Sequence, residues 1–197
     1  MAKSLPEFLL ARHGETAWSL SGQHTGRTDI PLTPHGEQNA LQLGARLRPR
    51  SFALVLTSPL SRARRTCELA GFGPQAQSCD ELLEWNYGDY EGLTSSEIRR
   101  DRPNWLLFRD GCPDGETPEQ VTARLTMLVS RLRAIEGDVL LFAHGHILRC
   151  LTGVWLGLGV AGGAILALSP AALSMVGYDH NPQEPVLKLW NDTSHLR

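Results

Sequence analysis

Two apolar runs in this chain end in the same way. Phe8-Leu9-Leu10-Ala11 stops at Arg12-His13-Gly14, and Val139-Leu140-Leu141-Phe142-Ala143 stops at His144-Gly145-His146. Short apolar runs without polar alternation read as strands buried on both faces, the kind found in parallel sheets. In open α/β sheets, ligands gather beyond the carboxyl ends of the strands. Two histidines at two such ends therefore constrain both the architecture and the place of a site. Gly14 is expected to let the backbone turn and come close to a ligand. An imidazole that attacks or binds through one ring nitrogen needs a partner on the other. Taken alone, each tripeptide is also compatible with an ordinary strand-to-loop turn.

The intervening segments alternate helix and strand signals. Thr33-Pro34 opens a helix with an N-cap and a proline at its first position, and Pro49 closes it. Ala53–Leu56 reads as a second buried strand, after which Ser58-Pro59 repeats the cap signal for a helix through Ala70. That places Arg62 near a helix N-terminus, where free amides and the dipole attract anions. Ala76–Cys79 reads as a short strand, Ser95–Arg100 as a short helix, and Thr117-Pro118-Glu119-Gln120 as a capping box opening a helix to about Ile135. An apolar helix is expected from Ile147 to about Leu156, with further strands at Ala164–Leu168, Ser174–Tyr178 and Val186–Trp190, the last antiparallel or at an edge. Residues 17–29 and 81–92 read as polar, glycine-containing loops. No repeat or linker interrupts the pattern, so 1–197 is expected to be one α/β domain.

Composition narrows the partners. Of 197 residues, 42% are hydrophobic and the net charge is −2, which excludes a dedicated nucleic-acid binder. No apolar run is long enough to cross a bilayer, and the start lacks a signal-peptide core, so a cytoplasmic protein is expected. Cys67, Cys79, Cys112 and Cys150 are scattered and read as reduced thiols.

The strand ends bring forward Arg12, His13, Arg62 and His144, with Glu84 on an intervening loop. Two arginines and two histidines suit a multi-oxygen dianion, most simply a phosphate. One imidazole attacks phosphorus, the cations spread the transition-state charge, and a carboxyl group serves the leaving oxygen and then water. A metal site at His144 and His146 is the competing reading; no compact third and fourth ligand accompanies them, and paired arginines repel a cation.

Leu10–Thr16, Ser58–Thr66 and Phe142–His146 together resemble, in order and spacing, the histidine phosphatase (phosphoglycerate mutase-like) superfamily, over roughly Leu9 to Trp190. Residues 21–26, 84–92, 109–112, 144–149 and 155–159 look most like its sedoheptulose 1,7-bisphosphatase branch and bacterial relatives. The resemblance implies a three-layer sandwich: a central, mostly parallel mixed sheet with helices on both faces. It also implies His13 as nucleophile, Arg12, Arg62 and His144 as phosphoryl ligands, Glu84 as general acid and base, and no metal or organic cofactor. Ser19, Thr25, Gly26, Tyr87 and Gly145 fall at substrate-contacting places. His146 is a candidate for a second phosphate or a sugar hydroxyl, or else a structural histidine. Arg109 and Arg149 are candidates for a second anion contact, with a structural salt bridge as the alternative.

Between Tyr87 and His144 the chain lacks the long insertion with which mutases cover their phosphohistidine, so hydrolysis of a small phosphorylated metabolite is expected. A sugar bisphosphate such as sedoheptulose 1,7-bisphosphate is the expected substrate. A broad-specificity acid phosphatase, a phosphoglycerate mutase and a non-catalytic phospho-ligand module are the alternatives. The apolar Val154–Leu168 stretch leaves room for a homo-oligomer.

Overall fold

In the computed structural model, residues 5–196 are described. The first residues, part of the segment read for a leader, lie outside them. Six strands form one sheet: β1 (Phe8–Arg12), β2 (Leu54–Thr57), β3 (Ala76–Ser78), β4 (Val139–Ala143), β5 (Leu173–Tyr178) and β6 (Pro185–Asp192). Their order is β3-β2-β4-β1-β5-β6. β3, β2, β4 and β1 run parallel, while β5 and β6 are antiparallel additions on the β1 side. The antiparallel edge position expected for Val186–Trp190 is thus occupied by β6.

Helices cover both faces: α1 (Ala17–Ser21), α2 (Pro34–Leu47), α3 (Ser61–Leu69), α4 (Ser95–Asp101), α5 (Leu107–Asp110), α6 (Pro118–Arg133) and α7 (Gly145–Trp155). One face of the sheet buries Leu9, Ala11, Val55, Leu140 and Phe142 against Leu43, Leu47 and Cys67 of α2 and α3. The other buries Phe8, Leu10, Val139 and Leu141 with α6, α7 and the excursion that carries Trp85, Ile98 and Trp105. Alternate residues of the fully apolar strands thus feed two cores, as a sheet sandwiched between helices requires. The fold is a mixed α/β sandwich, as expected.

Four local readings need correction. Residues 17–21 are helical because Thr16 and Ser19 cap each other, a short box that a polar stretch conceals. Ser58 does not cap α3; the helix starts at Ser61, and Asp29 Oδ1 accepts from the Ser61 amide at 2.8 Å. Ala164–Leu168 is no strand, since residues 160–165 form a 3-10 helix packed on α7. Its Gly163 lies so near Arg149 that a Cβ would sit 3.0 Å from that residue's carbonyl carbon. Gly14 serves packing: a Cβ there would lie 2.3 Å from the Gly36 carbonyl oxygen of α2.

Candidate active site

Parallel strands β2, β4 and β1 lie side by side, so their carboxyl ends share one edge. Two backbone bonds tie these ends laterally, Ser58 N–H to Phe142 O and His13 N–H to Ala143 O, each 2.9 Å. From the other side, Ala171 N–H donates to His13 O at 2.9 Å. The backbone of His13 is therefore fixed by neighbours on both flanks.

Its side chain is fixed as well. His13 Nδ1–H donates to Gly14 O at 2.7 Å, which leaves Nε2 as the unprotonated nitrogen. Burial, with Arg62 and Arg12 close by, holds the imidazole pKa well below the ordinary histidine value, so the ring is neutral. Arg12 donates Nη1–H to Leu168 O, while its buried Nε has no protein partner. Gly145 leaves the space this guanidinium needs: a Cβ would stand 3.3 Å from Arg12 Cζ.

Arg62 is fully buried and largely committed to the protein. It donates Nε–H to His144 Nδ1 (3.1 Å), Nη1–H to Thr28 O (3.0 Å), and Nη2–H to Thr25 O (3.0 Å) and Gly26 O (2.9 Å). His144, its Nδ1 thus an acceptor, donates Nε2–H to Ser58 Oγ at 2.7 Å. Burial and the flanking cations push its pKa well down, so it too is neutral. The His13 and His144 rings are 5.2 Å apart, centroid to centroid.

Glu84 is buried at the start of α7. Its carboxylate accepts from Trp85 N–H (3.0 Å), Ile147 N–H (2.8 Å) and His146 N–H (3.0 Å). It takes the place of an N-cap side chain, which His144 does not supply.

A cavity of about 250 Å³ opens on this edge; its lining includes Arg12, His13, Glu84, Gly145, Tyr87 and His146. Ser19 and Thr25 also line it, although the Ser19 hydroxyl is engaged in the α1 cap. Arg62 and His144, both fully buried, are not among the residues that line it. Gly26 lies outside it, pressed against Glu91 and the Trp85 carbonyl. Arg109 is also outside, exposed and paired with Asp110 at 2.8 Å, which is the salt-bridge alternative.

His24 is a site residue that the sequence did not single out. Its buried ring packs on Tyr87 at 4.7 Å and borders the cavity, and burial pushes its pKa down to about 4. Its only signal lay within the Ser21–Gly26 motif. Trp18 lines the cavity as well, whereas Trp85 belongs to the core. His144 and His146 do not converge as metal ligands: each Nδ1 is already bonded, to Arg62 and to Tyr87. Among the described residues, no helix is long and apolar enough to cross a membrane.

Comparison with known proteins places the chain in a family. Residues 8–193 match the histidine phosphatase superfamily (branch 1). The chain is 39% identical to a sedoheptulose 1,7-bisphosphatase of Saccharomyces cerevisiae, over 81% of this chain and 71% of the relative. It is 38% identical to an acid phosphatase of Mycobacterium tuberculosis, over 89% and 88%. A solved Mycobacterium tuberculosis open-reading-frame product superposes with a TM-score of 0.89 at 37% identity, covering 94% of this chain and 97% of that one. The chain belongs to the histidine phosphatase superfamily and is a phosphatase of that family.

Proposed function

We propose that the protein hydrolyses a small phosphorylated metabolite, a sugar bisphosphate such as sedoheptulose 1,7-bisphosphate, through a phosphohistidine at His13. The observation that carries this is a pair of open valences. His13 Nε2 is unprotonated and free at the cavity, and the neighbouring Arg12 Nε–H is buried without an acceptor. A buried unpaired donor is costly, and a phosphoryl oxygen supplies what it lacks.

In this reading Nε2 attacks phosphorus along the axis of the ester oxygen. The P–N bond forms, the P–O bond breaks, and the leaving oxygen takes a proton from Glu84, which enters this step as the carboxylic acid and leaves it as the carboxylate. Water then attacks phosphorus and gives its proton to the Glu84 carboxylate. The P–N bond breaks, releasing phosphate and neutral His13. Arg12 and the remaining Nη1–H of Arg62 meet the equatorial oxygens, and His144 Nε2–H shifts from Ser58 toward them. The name of the yeast relative supports a sugar bisphosphate as substrate.

The test is phosphate release from sedoheptulose 1,7-bisphosphate, fructose 1,6-bisphosphate, 3-phosphoglycerate and 4-nitrophenyl phosphate, with His13→Ala as control. A preference for the seven-carbon bisphosphate, abolished in the variant, is expected. Weak, even turnover would assign a broad acid phosphatase instead. Unchanged turnover in His13→Ala would remove the nucleophile assignment.

A further inference from the structure

Glu84 is held twice, once by its carboxylate and once by its neighbours in the chain. Its Oε1 accepts the amides of Trp85 and Ile147, and its Oε2 only that of His146, so Oε2 keeps a lone pair that can exchange a proton. The second hold comes from α6. Arg124, beside the buried Val121, Leu125 and Leu128, donates Nη1–H groups to Glu81 O at 2.8 Å and Leu83 O at 2.9 Å. The other edge of its guanidinium meets Glu116, just before the helix: Nε–H to Oε1 at 2.9 Å and Nη2–H to Oε2 at 2.8 Å. Glu116 continues the chain of contacts. Its Oε2 accepts the Asn86 N–H at 2.8 Å, and its own N–H donates to Asn86 O at 2.8 Å. Its carbonyl accepts the Trp85 indole N–H at 2.9 Å. Leu83 on one side and residues 85–86 on the other are thus tied to a single ion pair, with Glu84 between them.

That pair is costly to keep. The side chains of Arg124 and Glu116 are only 14% and 15% exposed. Taking two charges out of water offsets much of their attraction, and apolar residues of like volume often serve stability as well. Apolar residues cannot, however, bind the carbonyls and the amide that flank one carboxylate. Catalysis is sensitive to such placement, since a shift of about 1 Å can cost about 100-fold.

We propose that Arg124 and Glu116 are positioning residues for Glu84, fixing its backbone so that Oε2 meets the leaving oxygen. Neither is among the residues that line the cavity, so they act on the reaction only through Glu84. This rests on the general-acid reading above and goes beyond it, because it places control of proton transfer on α6.

The experiment reads the rate of His13 phosphorylation by rapid quench with two esters. Fructose 1,6-bisphosphate has a leaving alkoxide that needs a proton; 4-nitrophenyl phosphate has a leaving group that does not. Wild type, Arg124→Gln, Arg124→Lys, Glu116→Gln and Glu84→Gln are compared, with Arg124→Gln also placed in the Glu84→Gln background. In Arg124→Gln, Arg27 still stands 3.9 Å from Glu116 as a counter-charge. This variant is expected to slow the sugar ester at saturation by about tenfold or more, with KM unchanged, and the aryl ester by less than about twofold. Glu116→Gln changes the ratio in the same direction, and Arg124→Lys, which keeps the charge but not the fork, restores part of it. In the Glu84→Gln background Arg124→Gln leaves the ratio where it is, because its effect passes through Glu84. A pair that only stabilises the fold slows both esters alike, or slows the sugar ester again without Glu84; either result overturns the proposal, as does an unchanged ratio in Arg124→Gln. If Arg124→Gln does not fold, the ratio in Glu116→Gln decides. An unchanged ratio in Glu84→Gln alone removes the acid assignment itself, and this proposal with it, and the single variant shows that separately.

Discussion

Arg62 Nε–H donates to His144 Nδ1 across 3.1 Å, and this bond decides what His144 can do. A ring nitrogen that accepts from a guanidinium cannot also carry a proton, so the imidazole is neutral and its single N–H points from Nε2 toward Ser58. The same guanidinium gathers three carbonyls of residues 25–28. Arg62 is thus a structural hub as well as the phosphate ligand proposed above. Arg62→Lys is expected to lose about 3 kcal/mol or more of stability, because a point charge cannot reach these acceptors together. Urea unfolding checks it; a variant as stable as wild type would limit Arg62 to ligand binding.

Replacing Glu84 separates leaving groups. Glu84→Gln keeps an acceptor for the amides at the head of α7 but has no proton to transfer to and fro. For a sugar phosphate kcat should fall by about 10²–10⁴. For 4-nitrophenyl phosphate, whose leaving group needs no proton, phosphorylation of His13 should be far less affected. Burst kinetics with both esters reads the difference, and identical losses in the phosphorylation step would reject the acid role.

Stability should decline between pH 6.5 and about 4. His24 has its pKa pushed from 6.5 to about 4 by burial, and His13, His144 and His146 are shifted in the same direction. In this window the unfolded chain binds more protons than the folded one, so stability rises with pH and is lost as pH falls. For His24 alone the loss approaches about 3 kcal/mol at the acid end. Urea midpoints across this range should show the slope, and His24→Asn should flatten part of it. A flat wild-type profile would contradict the buried neutral state.

Gly14→Ala should be more harmful than its size suggests. The added methyl would meet the Gly36 carbonyl oxygen at 2.3 Å, backbone against backbone. Overpacking of this kind costs about 1–3 kcal/mol. It also displaces the carbonyl that orients His13, so kcat should fall along with the melting temperature. A stable variant with wild-type kcat would show that the two segments can part without consequence.

All four cysteines are buried and unpaired, and burial pushes Cys67 and Cys112 up to about 12 and Cys79 to about 11. Thiolates are the reactive form. A thiol-disulfide reagent should therefore label almost nothing in the native protein and four groups after denaturation. Rapid native labelling would expose a local opening.

Much of this was legible because the sheet is buried on both faces. Strands β1 and β4 are unbroken apolar runs, and a histidine ends each; that pattern survives without tertiary knowledge. The caps of α2 and α6 were readable for the same local reason. What failed depended on contacts between distant segments. Ser58 looks like a cap, but its hydroxyl accepts from His144, and the cap comes from Asp29 in a loop far back in the sequence. Ala164–Leu168 has the composition of a strand, but neighbouring glycines let residues 160–165 coil onto α7. His24 looked like a loop residue because the ring it packs against, Tyr87, is supplied by another excursion.

The place of β1 in the sheet also sets the order in which the site can come into being. Phe8 pairs with Val139 on one side and Val176 on the other, so the first strand has no partner among the residues that directly follow it. During synthesis the N-terminal segment must wait, apolar and unpaired, until most of the chain has emerged. His13 is made long before the strands that fix it. A fragment ending before β4 has helices and the β2–β3 pair but neither of the backbone bonds, to Ala143 and Ala171, that fix His13.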